Sequence, residues 1–278
     1  MNLDVSSVWL LARKEMMDSR RNRWFLLYAL IFAGLSLGLS WIGLSGIGGY
    51  GVSGFGRTTA SLINLILLIV PLMGLTLGAM SLAGERERGS LLYILSQPVS
   101  QLEVLTGKFM GLGIALFSAL VIGFGLSGVL LAVHGGTTQA GNYLILIGLT
   151  LLLALASLSL GLLISSALRK ASTAVGISLF VWLFLVFLGD LGLMGSALAT
   201  RMDITQLFAI SLINPLQVFK IGAVLAIRGN LEVFGPAGIY AVRTFGSNLI
   251  PLLLAILLLW IFLSFGATYF LFKKKGVL

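Results

Sequence analysis

The sequence predicts an all-α membrane protein with six transmembrane helices and both ends of the chain in the cytoplasm. Three observations predict it. Of 278 residues, 58% are hydrophobic and only 10% are charged, against about 25% charged in an average soluble domain. Charge-free runs long enough to cross a bilayer, about 20 residues, recur along the chain. The 18 Lys and Arg outnumber the 9 Asp and Glu and cluster on alternate connections. So little charge, with a mean hydropathy of +1.08, excludes a soluble enzyme and a disordered chain. The lack of cysteine excludes a disulfide-stapled secreted scaffold. Long apolar runs argue against a β-barrel, whose strands alternate polar and apolar.

Residues 1–23 form the first segment. On a helical wheel over 5–21, Val5, Trp9, Ala12 and Met16 share one side, and Lys14, Asp18 and Arg21 the other. This suits a helix lying in the interfacial plane with basic residues at lipid headgroups. A charged anchor without further role is the alternative reading. The apolar run that follows is too long for a signal-peptide core, with no small-residue cleavage site, so it reads as a signal anchor.

The remainder, 24–278, is the six-helix transmembrane domain. Trp24 to Gly56 and Thr58 to Gly84 contain no charged residue and give spans at 24–44 and 59–83. Phe109 to Leu168 is charge-free for 60 residues. It divides into spans at 109–133 and 143–168 around the polar turn cluster His134–Asn142. Ala171 to Gly189 gives a span at 172–192, and Thr244 to Phe272 one at 248–272.

Residues 195–247 do not read as a span. Ile204 to Phe219 is apolar but contains Pro215, and its ~24 Å as a helix falls short of the ~30 Å hydrocarbon core. The segment reads as non-spanning or re-entrant, built of short helices packed on protein or facing water.

Six spans place thirteen of the 18 basic residues on one side: Arg13, Lys14, Arg20, Arg21, Arg23, Arg86, Arg88, Lys108, Arg169, Lys170 and Lys273–Lys275. Arg57, Arg201, Lys220, Arg228 and Arg243 fall on the other. The richer side faces the cytoplasm. The net charge of +9 then reflects topology and contact with the lipid surface. Nucleic-acid binding is not indicated, because the basic residues are spread over short segments.

Residues 84–108, between spans two and three, carry the most information. Glu85, Arg86, Glu87 and Arg88 leave the membrane as alternating charges, and Gly89 permits a bend. Ser90 and the apolar run Leu91, Leu92, Tyr93, Ile94 and Leu95 follow, then Pro98 breaks any helix. Ser100 and Glu103 match a capping box that opens a new helix toward Lys108. An apolar run in so short a loop calls for a partner or the membrane surface. A charged stop-transfer patch with an interfacial helix explains the residues equally well.

Glu85-Arg-Glu-Arg-Gly-Ser-Leu, Leu95-Ser-Gln-Pro-Val-Ser100 and Gly107-Lys108 together resemble the signature of permease subunits of ABC-2 type transporters. Gln101 stands where that signature has Arg. The resemblance covers the whole chain and implies an ABC-2, type V exporter-like permease fold. It implies a dimer with a second copy of the chain, and a separate cytoplasmic ABC ATPase that binds ATP and Mg. It implies a coupling loop at Glu85, Arg86, Glu87, Arg88, Gly89, Ser90, Leu91, Leu92, Leu95, Pro98 and Ser100. Within the family, the whole-sequence likeness is to permeases of complexes that help mature nitrous oxide reductase. That likeness implies a copper or sulfur species as cargo and a periplasmic β-helix partner. Arg201, Asp203, Lys220, Arg228 and Arg243 in the outer segment are the candidate contacts. An exporter of a drug, ion or lipid and a non-transporting membrane anchor are the alternative functions.

The chain has no Gly-x-x-x-x-Gly-Lys-Ser/Thr, so it does not bind ATP by that device. No catalytic residue, cofactor or metal site is expected. Gly46–Gly51 matches a dinucleotide fingerprint but follows a span without the strand that motif needs, and reads as a loop. Gly34/Gly38 and Gly74/Gly78 are small-residue pairs suited to close helix packing in the bundle. The spans lack the buried ionisable residues of a proton-coupled carrier. His134 reads as a loop residue. Met73, Met80, Met194 and Met202 are the remaining soft ligands for copper, but read better as packing residues.

Overall fold

The computed structural model describes residues 4–44, 52–135, 140–199, 203–228 and 235–275. Among them the chain is helical nearly throughout, with eleven α-helices and no strand. Gly46–Gly51, Arg201 and Met202 lie outside the described residues, as do the side chains of His134, Met194 and Arg228.

α1 (Val5–Arg21) starts at Asp4, whose carboxylate accepts from the Ser6 N–H at 3.1 Å. It stops at Asn22, whose N–H donates to Ser19 O and whose Oδ1 accepts from the Trp24 N–H at 3.0 Å. One residue thus ends α1 and starts α2 (Arg23–Leu44), leaving no free linker between them.

α3 (Val52–Glu87) and α5 (Gln101–Gly135) are the long helices of the bundle, at 36 and 35 residues. Each rises to ~50 Å, well beyond the ~30 Å hydrocarbon core. α4 (Ser90–Leu95) joins them. α6 (Ala140–Ala167) and α7 (Ala171–Ala199) follow, joined by a short turn. The chain bends by 110° between α8 (Ile204–Ile213) and α9 (Pro215–Arg228), the geometry of a broken span or a re-entrant hairpin. Asn214 holds that bend: its side-chain amide donates to Leu185 O on α7 at 2.6 Å, and its Oδ1 accepts from the Leu216 N–H. α10 (Gly235–Phe245) and α11 (Leu249–Lys275) end the chain.

α2, α3, α5, α6 and the last helical stretch are each long and apolar enough to cross a membrane. α7 occupies the place of the expected fifth span. α3 is the most enclosed of them. Its Leu62, Ile66, Val70 and Met73 form the core with Leu153 and Leu158 of α6, Phe219 of α9 and Leu253 of α11. Phe180, Phe184 and Phe187 on α7 and Phe262 on α11 are exposed, as suits helix faces that meet lipid.

The α3–α6 seam is made by glycine. A Cβ at Gly74 would lie 2.8 Å from Ala154 O, and one at Gly78 would collide with Leu158 O and Leu162 N. Gly161 closes on Leu75 and Gly78 from the other side. By contrast, a Cβ at Gly34 or Gly38 would meet nothing within 4 Å. Only the second of the two glycine pairs therefore packs helices within the bundle.

The structure adds to one sequence reading and corrects another. α1 docks on α5 through Val8, Ala12, Glu15 and Ser19, whereas Val5 and Trp9 are exposed. The face that docks on α5 is thus distinct from the apolar side that carries Val5 and Trp9. The reason is close approach. A Cβ at Gly107 would strike Leu11 and Val8 O, and one at Gly111 would strike Ala12 O and Glu15. The helix opened by Ser100 is also continuous with the third span, because Lys108 is buried within α5 instead of marking a boundary.

Candidate functional site

The charged end of α3, the α4 connection and the start of α5 form the candidate site. At the end of α3, successive residues point about 100° apart around the helix axis, and three consecutive charges reach three different neighbours. Glu85 faces α1 and α5, and lies 2.8 Å from Lys14 Nζ and 2.8 Å from Lys108 Nζ. Arg86 turns to α6, where Nη1 donates to Leu168 O at 2.6 Å. A cation at the carboxyl end of a helix completes the carbonyls left open there. Glu87 turns to α7, where its carboxylate accepts from the Ala171 N–H at 2.8 Å. That is the matching arrangement of an anion at a helix amino end.

Lys108 is the centre of the ionic cluster. It is 1% exposed at its side chain and also pairs with Glu15 of α1. Two ammoniums and two carboxylates balance, which is what a buried charge requires. Burial alone disfavours the charge on Lys14, but the hydrogen bond and charge of Glu85 outweigh it and hold its pKa above the ordinary lysine value.

The chain then reverses. Gly89 adopts φ +73°, a left-handed conformation that favours glycine. α4 buries Leu91 and Ile94 and leaves Leu92 and Tyr93 exposed at 58% and 72%. Leu95 is partly buried, and Arg88 and Pro98 are exposed. Ser90 Oγ donates to Glu85 O.

Ser100 and Glu103 form the expected capping box. The Ser100 N–H donates to Glu103 Oε2 at 2.7 Å, and the Glu103 N–H to Ser100 Oγ at 3.2 Å. Glu103 Oε1 also accepts from the Asp4 N–H at 2.9 Å, so one carboxylate starts α5 and anchors the start of α1. Hydrogen bonds from Ser6 and Ser7 hold the Asp4 carboxyl below its ordinary pKa.

The structure thus brings Glu85, Arg86 and Glu87 together as a clamp and presents Leu92 and Tyr93 outward from it. The outer-segment candidates stand apart from this site and on separate helices: Asp203 exposed at the start of α8, Lys220 half-buried on α9 and Arg243 exposed on α10. Phe208 packs against Tyr240 and Phe245, which joins α8 to α10. Met73 is a core residue. Among the described residues no group of three His, Cys, Asp or Glu is placed to hold a metal. Sequence reasoning missed Lys14, Glu15 and Lys108 as one cluster. The signal was Gly107-x-x-x-Gly111 flanking Lys108, a close-packing pair beside a lone charge.

The profile of the family described as "ABC-2 family transporter protein" matches residues 9–277. The chain belongs to the ABC-2 transporter family. It is 32% identical over 279 residues to a probable ABC transporter permease protein NosY of Pseudomonas aeruginosa, covering 97% of this chain and 99% of the relative. It is 30% identical over 280 residues to a probable ABC transporter permease protein NosY of Stutzerimonas stutzeri, covering 98% and 99%. This ABC-2 chain is a multi-pass inner-membrane permease. Membership implies a partner ATPase.

Proposed function

We propose that the chain is the NosY-type permease subunit of an ATP-driven transporter serving maturation of the copper site of nitrous oxide reductase. The observation that carries the coupling role is α4: a short helix with Leu92 and Tyr93 exposed, set on a base where Glu85, Arg86 and Glu87 tie α3 to four other helices. Exposed apolar side chains on a rigid charged base suit docking into a cleft of a partner protein.

In this reading the site faces the cytoplasm and receives a NosF-like ABC ATPase, which binds ATP and Mg. A second copy of the chain completes the membrane unit. ATP-driven closure of the ATPase pair displaces α4, and the clamp passes the displacement to the spans. The outer segment, with Asp203, Lys220 and Arg243 among its charges, meets a NosD-like periplasmic β-helix protein. The cargo is a copper or sulfur species. Near-full-length similarity to the two NosY proteins supports this assignment.

Deletion of the chain in a strain that makes the reductase tests the biological role. The reductase is expected to accumulate without its full copper centre, read as copper content and visible absorbance. Full copper loading in the deletion strain overturns the assignment. Purification with the ATPase tests the subunit role, with ATP hydrolysis in the complex as the expected result.

A further inference from the structure

Ser165 of α6 is completely buried, and its hydroxyl sits inside the hydrogen-bond ladder of α3. The Ala83 N–H donates to Ser165 Oγ at 2.8 Å, and Ser165 Oγ donates to Ala79 O at 2.7 Å. Ala83 N and Ala79 O are the two groups that an uninterrupted helix joins directly. A side chain from another helix placed between them is a recognised cause of local departure from straight helix geometry.

The position along α3 gives this contact its meaning. Gly74 and Gly78 fix the seam to α6 on the turns before it. Arg86 ties α3 to the end of α6 on the turn after it. The glycine seam is apolar, and in lipid no hydrophobic force opposes sliding of one apolar helix face along another. A hydroxyl with both a donor and an acceptor across the seam fixes the register. Other buried serines of α6 do not do this: Ser157 bonds Leu153 O and Ser166 bonds Leu163 O, each within its own helix.

α6 in turn packs on α9 and α11. Gly222 of α9 lies where Leu149 of α6 and Leu253 of α11 meet, with 3.3–3.5 Å to a Cβ there. α6 therefore joins the charged end of α3 to the segment that follows the bend at Asn214.

We propose that Ser165 is a positioning residue that locks α3 to α6, so that displacement of α4 is delivered to α6 and from there to α9 and α11. This inference rests on the coupling role proposed above.

The test uses the full permease–ATPase complex in lipid nanodiscs. The chain has no cysteine, so spin labels can be placed by Leu144→Cys at the far end of α6 and Ile213→Cys beside the α8–α9 bend, both exposed. The distance between them is measured with and without ATP and vanadate. The unaltered complex is expected to show a nucleotide-dependent shift. Ser165→Ala is expected to lose about half of that shift or more, with ATPase association and basal hydrolysis within about two-fold, because one interhelical hydrogen bond in lipid contributes little to stability. Ser166→Ala removes a buried hydroxyl without cutting the tie to α3, and is expected to keep the shift. A full shift in Ser165→Ala, or an equal loss in both variants, overturns the inference. No shift in the unaltered, ATPase-bound complex overturns it too and also removes the proposed coupling mechanism. Failure of the unaltered chain to bind the ATPase instead refutes the subunit assignment itself.

Discussion

Lys108 Nζ lies 2.8 Å from the Glu85 carboxylate, and so the two ends of the α4 connection are fastened to each other inside the protein. Glu85 ends the descent of α3, and Lys108 lies two turns into α5. With Glu15 and Lys14 added, the cluster also fastens α1. A displacement applied to α4 therefore meets a closed, cross-braced base, and three helices, α1, α3 and α5, share the load.

Removing Lys108 leaves two buried carboxylates with only the half-exposed Lys14 between them. Lys108→Met is expected to cost about 3–5 kcal/mol, the usual effect of breaking a buried ion pair from one side. The check is thermal unfolding in nanodiscs. Glu15→Gln and Glu85→Gln added to Lys108→Met remove the stranded charges and are expected to recover more than half of the loss. Equal instability of the triple variant contradicts the electrostatic account.

The two glycine pairs are expected to respond oppositely. Gly78→Ala places a methyl against Leu158 O and Leu162 N, which are backbone atoms that cannot turn aside. It is expected to cost about 1–3 kcal/mol through overpacking. Gly34→Ala meets open space within the chain, and should change stability by less than about 0.5 kcal/mol. Thermal unfolding of the two variants side by side decides it.

Ser100→Ala removes the acceptor for the Glu103 N–H. The expected cost is about 1 kcal/mol, that of a lost helix cap. Because Glu103 also holds Asp4, fraying should reach α1. Limited proteolysis is expected to cut faster both before residue 104 and within the first residues of α1. Faster cutting at only one of these places contradicts the shared role of Glu103.

The spans were legible because charge is expensive in lipid, so charge-free runs mark the bilayer. The positions of α2, α6 and α11 follow from that rule to within a turn. The rule misled at Lys108, which it treats as a solvent-facing boundary. A lysine with two carboxylate partners is tolerated inside, and those partners, Glu15 and Glu85, are 93 and 23 positions away along the sequence. The face of α1 that docks on α5 was out of reach for the same reason. Glu15 looks like a surface residue until Lys108 is placed beside it.

In the candidate site, the capping box Ser100/Glu103 and the bend at Gly89 were legible, since both are local. The split of the α4 apolar run into buried Leu91 and Ile94 and exposed Leu92 and Tyr93 was not. Six helical residues leave either face free to turn inward, and the choice is made by packing on α3. The Ser165 contact was equally out of reach, because nothing in a serine's neighbours along the chain distinguishes it from Ser157 or Ser166.

The central claim is that Leu92 and Tyr93 carry the ATPase. The most direct measurement is co-purification of the ATPase subunit with Leu92→Asp, Tyr93→Asp and the control Ser172→Asp, an equal change of charge at another exposed position near the charged end. All three variants are expected to insert and to unfold within a few degrees of the unaltered chain. Leu92→Asp and Tyr93→Asp should lose ATPase association while Ser172→Asp retains it. Undiminished association of both α4 variants contradicts the account.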